Sequence, residues 1–423
     1  MQQKLIDLVD ARSDEIISML QELIRIETTN PYCGDANPAG EKRGQEYLQP
    51  VLEQMGADID LFDCPDDIYQ RSSVIGPRNR DFSDRPNLVA TWDFGGDGPT
   101  VVVNGHMDTV GVDTFDGDPF SANISDGKMR GRGTSDCKGG IVCGVSAIQG
   151  LLTVADNLKG KLIFESVVDE EANGSGAGTL ACLDAGYRGD MQVFVDGADD
   201  TLTIGCNGCL TAAVNVPGEA GHAARGTGVN AIDKAILIHQ AISDFKAQRE
   251  AQRPTARLNL GLMRAGIHPA VVPAEARLEM NIVYELDEAE ASKQATGVWG
   301  AALLRQQYER HIRAAENNDQ WLRDHPCEIE WIKDLVPFDE PQAQPLVQRF
   351  IDTFTNVTGR GPTVNRLVAW SDACWPSAVG GIPTFLYGPS APNSPHTDNE
   401  YVEIAALLRC VKVLSVFLLR ELT

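Results

Sequence analysis

The stretch Pro99-Thr100-Val101-Val102-Val103-Asn104-Gly105-His106-Met107-Asp108 decides the reading of the fold. Its consecutive valines form a short apolar run of β-branched side chains, without the polar alternation of a strand that has one wet face. A strand of this kind is buried on both faces, the condition of inner strands in a parallel sheet. The run then stops at a glycine, a histidine and an aspartate. The same form returns in Leu162–Val168 followed by Asp169-Glu170-Glu171, and in Met191–Val195 followed by Asp196. It returns once more in Pro383–Tyr387, with His396 a short loop further on. Helical segments fill the intervals, so the pattern predicts an α/β protein with a mostly parallel sheet flanked by helices. In such folds ligands bind beyond the carboxyl ends of the strands, and here those ends repeatedly carry histidine or carboxylates.

Around this frame, Leu5, Leu8, Val9, Ile16, Leu20, Leu23 and Ile24 keep helical spacing and predict an opening helix that ends before Asn30-Pro31. Cys64 to Pro86 is polar and reads as an irregular insertion, and Ile404–Leu422 reads as an amphipathic terminal helix. Between residues 206 and 336 the character changes. Leu210–Val216 and Arg277–Tyr284 alternate like half-exposed strands. Ile232, Ala235, Ile236, His239 and Ile242 mark an amphipathic helix, and Asp287–Asn318 reads as one long charged helical stretch. We therefore expect a catalytic domain in two parts, residues 1–205 and 337–423, interrupted by a smaller inserted α+β domain over 206–336.

The 423 residues hold 36 Lys+Arg against 60 Asp+Glu, a formal net charge of −24. So acidic a surface repels phosphate backbones and argues against nucleic acid or an anionic membrane as partner. No apolar run reaches the ~18 residues of a membrane helix, and the first residues do not read as a secretory signal. Ten cysteines lack framework spacing, and Cys206-x-x-Cys209 has no second half to complete a zinc site. The expectation is a cytoplasmic protein with reduced cysteines.

Histidine and carboxylate without thiolate suit Zn²⁺, and also Mn²⁺ or Co²⁺. In His106-x-Asp108 both side chains share one face if the segment stays extended, so Asp108 can orient the imidazole. Adjacent Glu170 and Glu171 then point apart, one to a metal and the other to the water as general base. The chemistry read from these residues is a two-metal hydrolytic site.

These residues, with Gly131 to Gly140 (GRGTSDCKGG), Gly221-His222-Ala223, Ser371-Asp372-Ala373 and His396 to Glu400 (HTDNE), resemble a known family. It is that of the cocatalytic metallohydrolases typified by acetylornithine deacetylase, succinyl-diaminopimelate desuccinylase, aminoacylase and carboxypeptidase G. The resemblance implies His106 and Asp196 on one metal, Glu171 and His396 on the other, and Asp136 bridging both. It implies Glu170 as general base, Asp108 as support for His106, and a cis peptide between Asp136 and Cys137. The inserted domain resembles the family's lid, which often forms a homodimer, and His222 its histidine that steadies the substrate oxyanion.

Three departures concern the substrate. Where relatives have Asn-Val-Ile-Pro this chain reads Ala270-Val271-Val272-Pro273; the arginine that grips a carboxylate is replaced by Val283; and Val368-Ala369-Trp370 replaces a Gly-Gly-Thr/Gly segment. An apolar or aromatic small molecule stacked near Trp370 is therefore expected, with Arg225, Arg264 or His268 as a displaced anionic grip. The expected activity is hydrolysis of the C–N amide bond of a small molecule, of deacylase or dipeptidase type. The alternatives are hydrolytic deamination of an aromatic amine and a non-catalytic binding protein on the same scaffold.

Overall fold

In the computed structural model, residues 1–171 and 175–423 are described. The main sheet has nine strands. In spatial order they run Asp58–Asp63, Pro86–Gly95, Gly160–Val167, Thr100–His106, Met191–Phe194, Thr384–Leu386, Thr201–Cys206 and Phe338–Asp339, with Thr363–Leu367 also paired to Thr201–Cys206. The four strands from Gly160–Val167 to Thr384–Leu386 are parallel, and antiparallel strands extend the sheet on both sides. Each apolar run singled out in the sequence lies in this parallel centre.

The valine run shows why it has no polar face. Val101 and Val103 join the large core with Leu5, Ile16, Val142 and Leu414, whereas Val102 packs with Val89, Ile163 and Cys182 on the opposite side. The helices Gln2–Ala11, Ser13–Ile24, Lys138–Val154 and Ile404–Leu422 supply the first layer, and Ala177–Asp184 contributes to the second. The last of the first-layer helices has the bounds expected for it. Among the described residues no helix is long and apolar enough to cross a membrane.

A second sheet, of four antiparallel strands, lies in the middle of the chain in the order Leu258–Ala265, Glu275–Tyr284, Gly208–Pro217, Glu328–Leu335. One face packs against helices Ala231–Gln252 and Ala302–Glu316 through Leu210, Val214, Met280, Ile282, Ile238 and Tyr308. The other face carries Cys209, Thr211, Asn281 and Val283, which gives the alternation read from the sequence its physical meaning.

Several elements differ from the expectation. The opening helix is two, parted at Arg12 with φ −107° and ψ 16°; the apolar spacing continues across the break, so periodicity does not register it. The charged stretch is also two helices, Leu286–Thr296 and Ala302–Glu316, separated where Gly297 takes φ +78°. The strands Pro86–Gly95, Leu258–Ala265 and Glu328–Leu335 had no clear signal. Leu258–Ala265 is an edge strand and mostly exposed, so it carries little hydrophobic alternation.

The pair Gly139-Gly140 lets the helix Lys138–Val154 seat against the sheet. A Cβ on Gly140 would stand 1.9 Å from the carbonyl oxygen of Val195, and one on Gly139 2.2 Å from that of Thr134. Neither obstacle is a flexible side-chain end, so the helix would have to back away from the strand that leads to Asp196. Gly140→Ala is expected to lower stability by ~3 kcal/mol, measured by urea unfolding.

Candidate metal centre and substrate cavity

Parallel pairing sets His106 opposite Val167, so the chain leaves both strands side by side and Asp169-Glu170-Glu171 follows next to the imidazole. Asn104 lies opposite Phe194, which brings Asp196 to the same edge. Asp136 stands between two histidines: its Oδ1 is 2.9 Å from His106 Nε2 and its Oδ2 is 3.1 Å from His396 Nε2. His396 Nε2 also lies 3.0 Å from Glu171 Oε2. Candidate ligand atoms of His106, Asp136 and Glu171 fall within 4.8 Å of one another, as do those of His106, Cys137 and Asp196. The five residues expected to hold metal, His106, Asp136, Glu171, Asp196 and His396, thus share one site. Cys137, which the sequence reading gave no ligand role, has its sulfur beside them.

His106 Nδ1 faces the main-chain oxygen of Asp108 at 3.0 Å, which leaves Nε2 to the centre. The carboxylate of Asp108 is 3.6 Å from Nδ1 and is engaged elsewhere as well. It accepts from Asn30 Nδ2 at 2.7 Å, from the Glu171 amide at 2.9 Å and from the Glu170 amide at 3.2 Å. Asp108 therefore faces the imidazole with its backbone oxygen and its carboxylate, and positions the two glutamates through that same carboxylate. Asp169 helps turn them, with a left-handed φ of +66° held by Ser175 Oγ at 2.6 Å and by Arg85 Nη2 at 3.1 Å. On the far side Glu400 accepts from the amides of Ser135 at 2.9 Å and Asp136 at 3.1 Å, and pairs with Arg132 at 2.8 Å. Asn30, Arg85, Asp169, Arg132 and Glu400 were given no role in the sequence reading. Glu400 and Arg132 at least lie within quoted motifs, whereas nothing local marks Asn30 or Arg85.

The electrostatics are lopsided. Burial, followed by neighbouring acids, raises the carboxyls of Glu170 and Asp196 well above the usual carboxylate range and that of Glu171 to about 7. Burial also lifts Asp372, beneath them and bonded to Thr179, to about 6. Asp136 and Asp108 go down instead, because interactions with His106, joined by His396 at Asp136 and by Asn30 and the Glu171 amide at Asp108, outweigh their burial. A dense group of buried acids with two imidazoles and, among the described residues, no lysine or arginine at its centre is the donor set that divalent ions neutralise, so the residues present fit a metal pair.

A cavity of about 550 Å³ opens on this group, lined by Glu170, Glu171 and His396 on one side. Tyr32, Cys33 and Val110 form a second side. Ala369 and Trp370 form a third, and Cys209, Asn281, Lys333 and Leu335 come from the second sheet. Trp370 is where the sequence expects it, its Nε1 donating to Cys374 Sγ at 3.1 Å and its ring edge-on to Trp375. Val283 does not line the cavity: it pairs with Cys209 on the next strand, and Cys209 takes that place. His222, Arg225, Arg264 and His268 are exposed and do not line it either in the single chain. His222 and Val271 belong to a two-stranded ribbon apart from the four-stranded sheet, and His222 Nδ1 accepts from the Ala224 amide at 3.2 Å.

The chain is 26% identical to the N-formyl-4-amino-5-aminomethyl-2-methylpyrimidine deformylase of Halalkalibacterium halodurans, over 97% of this chain and 95% of that protein. Among solved structures, the Saccharomyces cerevisiae di-peptidase Dug1p superposes with a TM-score of 0.76 at 15% identity, covering 100% of this chain and 98% of that one. The Bacillus subtilis YXEP protein, described as a dinuclear metal-binding peptidase, superposes with a TM-score of 0.61 at 14% identity, covering 98% and 99%. Residues 102–420 match Peptidase family M20/M25/M40. The chain belongs to that family, whose members are metal-dependent hydrolases of carbon–nitrogen amide bonds.

Proposed function

We propose that this protein is a deacylase that removes a small acyl group, such as formyl, from an amine carried on a flat aromatic ring. The observation that carries the reading is Trp370 standing in the wall of the same cavity as Glu170, Glu171 and His396. An indole there offers a face for stacking a ring, where a small residue in its place would leave room for a bulkier aliphatic chain. The relative named as a pyrimidine deformylase supports the same class of substrate.

His106 and Asp196 would hold one divalent ion, Glu171 and His396 the other, with Asp136 between them. Zinc suits the donor set best. When bound, such a pair acidifies water and polarises an acyl oxygen. Glu170 takes the proton of the attacking water and returns it to the leaving nitrogen. Asp108 keeps that carboxylate in place through the Glu170 amide. Trp370 orients the ring and excludes water from its face. His222 completes the reading as an oxyanion donor supplied across a homodimer, since it is exposed and does not line the cavity of its own chain.

Adding Zn²⁺ to chelator-treated protein should stabilise it by ~3 kcal/mol at an ion concentration about a hundredfold above Kd, and Asp136→Asn should lose most of that gain in thermal unfolding. Glu170→Gln should keep the metal content but lower kcat by ~10³-fold, read as amine released from an N-formyl arylmethylamine. Trp370→Ala should raise KM for aromatic substrates by about tenfold, a stacking loss of ~1.4 kcal/mol, and leave an N-formyl alkylamine nearly unchanged.

A further inference from the structure

The cavity holds one group that neither the metal centre nor the acyl transfer uses. Lys333 lines it from the second sheet and is 4% exposed. Among the described residues no carboxylate or carbonyl oxygen is paired with its ammonium. The other deeply buried lysine behaves differently: Lys138 donates to the carbonyl oxygens of Ile26 at 2.6 Å and Leu23 at 3.3 Å. The Lys333 side chain is buried while its ammonium opens on the cavity, where an anionic group would supply the partner that the protein does not.

The backbone is shaped to put it there. Trp331 lies opposite Ala212 and Lys333 opposite Thr211, so Ile332 is an extra residue, a β-bulge in the strand Glu328–Leu335. Without the bulge, Ile332 would oppose Thr211, and Lys333 would turn with Leu210 into the apolar face beneath the helices. With it, Lys333 joins a row across three strands, Asn281, Thr211, Lys333, on the cavity side. In that row Asn281 Oδ1 accepts from Cys209 Sγ at 2.8 Å and from Thr211 Oγ1 at 3.0 Å, which leaves the Asn281 amide hydrogens as donors. An adjoining cavity of about 230 Å³ shares Asn281 and Lys333, so there is room beyond the ring position. Burial draws the Lys333 ammonium down to about 8, so it still carries its proton at neutral pH.

We infer that Lys333, with the amide of Asn281, binds an anionic group of the substrate, a carboxylate or a phosphate, at the end away from the scissile amide. The inference rests on the reading that this cavity receives the substrate, and it places the displaced grip on a residue that none of Arg225, Arg264 or His268 represents.

The test is calorimetric binding of benzoate, phenyl phosphate and the neutral isostere benzamide to the metal-loaded full-length protein, its Lys333→Met variant and its Lys333→Arg variant. The expected result is a loss on the order of tenfold or more for the preferred anion in Lys333→Met, retention of most affinity in Lys333→Arg, and no change for benzamide. The anion that loses more identifies carboxylate or phosphate. Equal affinities in wild type and Lys333→Met, or a parallel loss that includes benzamide in both variants, would overturn the assignment. Turnover of 4-(formamidomethyl)benzoate against N-formylbenzylamine separates the two readings. Lys333-dependent benzoate binding without hydrolysis of either compound keeps the anion site and removes the deformylase reading. Hydrolysis of both with the same kcat/KM in wild type and Lys333→Met does the reverse.

Discussion

Everything at the catalytic edge depends on a concentration of buried negative charge at the ends of parallel strands. Asp136 is its pivot, one carboxylate oxygen directed to His106 and the other to His396. Those two imidazoles come from places 290 positions apart in the chain, residues 106 and 396, and a single carboxylate stands between them. Four parallel strands place the remaining acids, Glu170, Glu171 and Asp196, on the same edge. Such a group is unfavourable by itself, as the upward displacement of three of its carboxyls states in physical terms. The fold tolerates it because cations belong there.

The centre is held in shape by a frame of buried hydrogen bonds behind it. Arg85 reaches Glu41 and Asp169, Asn30 reaches Asp108 and Asp169, and Asp108 in turn receives the amides of Glu170 and Glu171. Each link leads back to the backbone that carries Glu170 and Glu171. Glu400 does the same for Ser135 and Asp136 from the opposite side. These partners are buried and bonded to one another, so removing one leaves others unpaired in a dry interior, which is dearer than losing one hydrogen bond.

The second sheet has two faces with different tasks. Its even-numbered positions on Gly208–Pro217 build a core with the helices, and Cys209 and Thr211 face the cavity side. One bulge is enough to move Lys333 from the first set to the second. Which side chains the strand Glu328–Leu335 presents to the cavity thus turns on a single extra residue as much as on the identity of the side chains.

The sequence by itself determined the class of fold, because unbroken β-branched runs between helices have few other solutions, and it determined the chemistry, because histidine and carboxylates follow those runs directly. His106, Asp136, Glu170, Glu171, Asp196, His396 and Trp370 were all legible as local features or motif positions. The helix break at Arg12 was not, since the apolar period runs through it, and the break at Gly297 falls in a charged stretch where the helix before it buries only Ala289 and Ser292. Nor was the second task of Asp108, whose carboxylate accepts from two backbone amides as well as standing beside the ring. Tertiary structure alone decided that Asn30, Arg85 and Lys333 belong to the site. Their surroundings come from strands and loops distant in the chain, and for Lys333 the deciding quantity is a register shift, which pairing between strands sets and no single strand records.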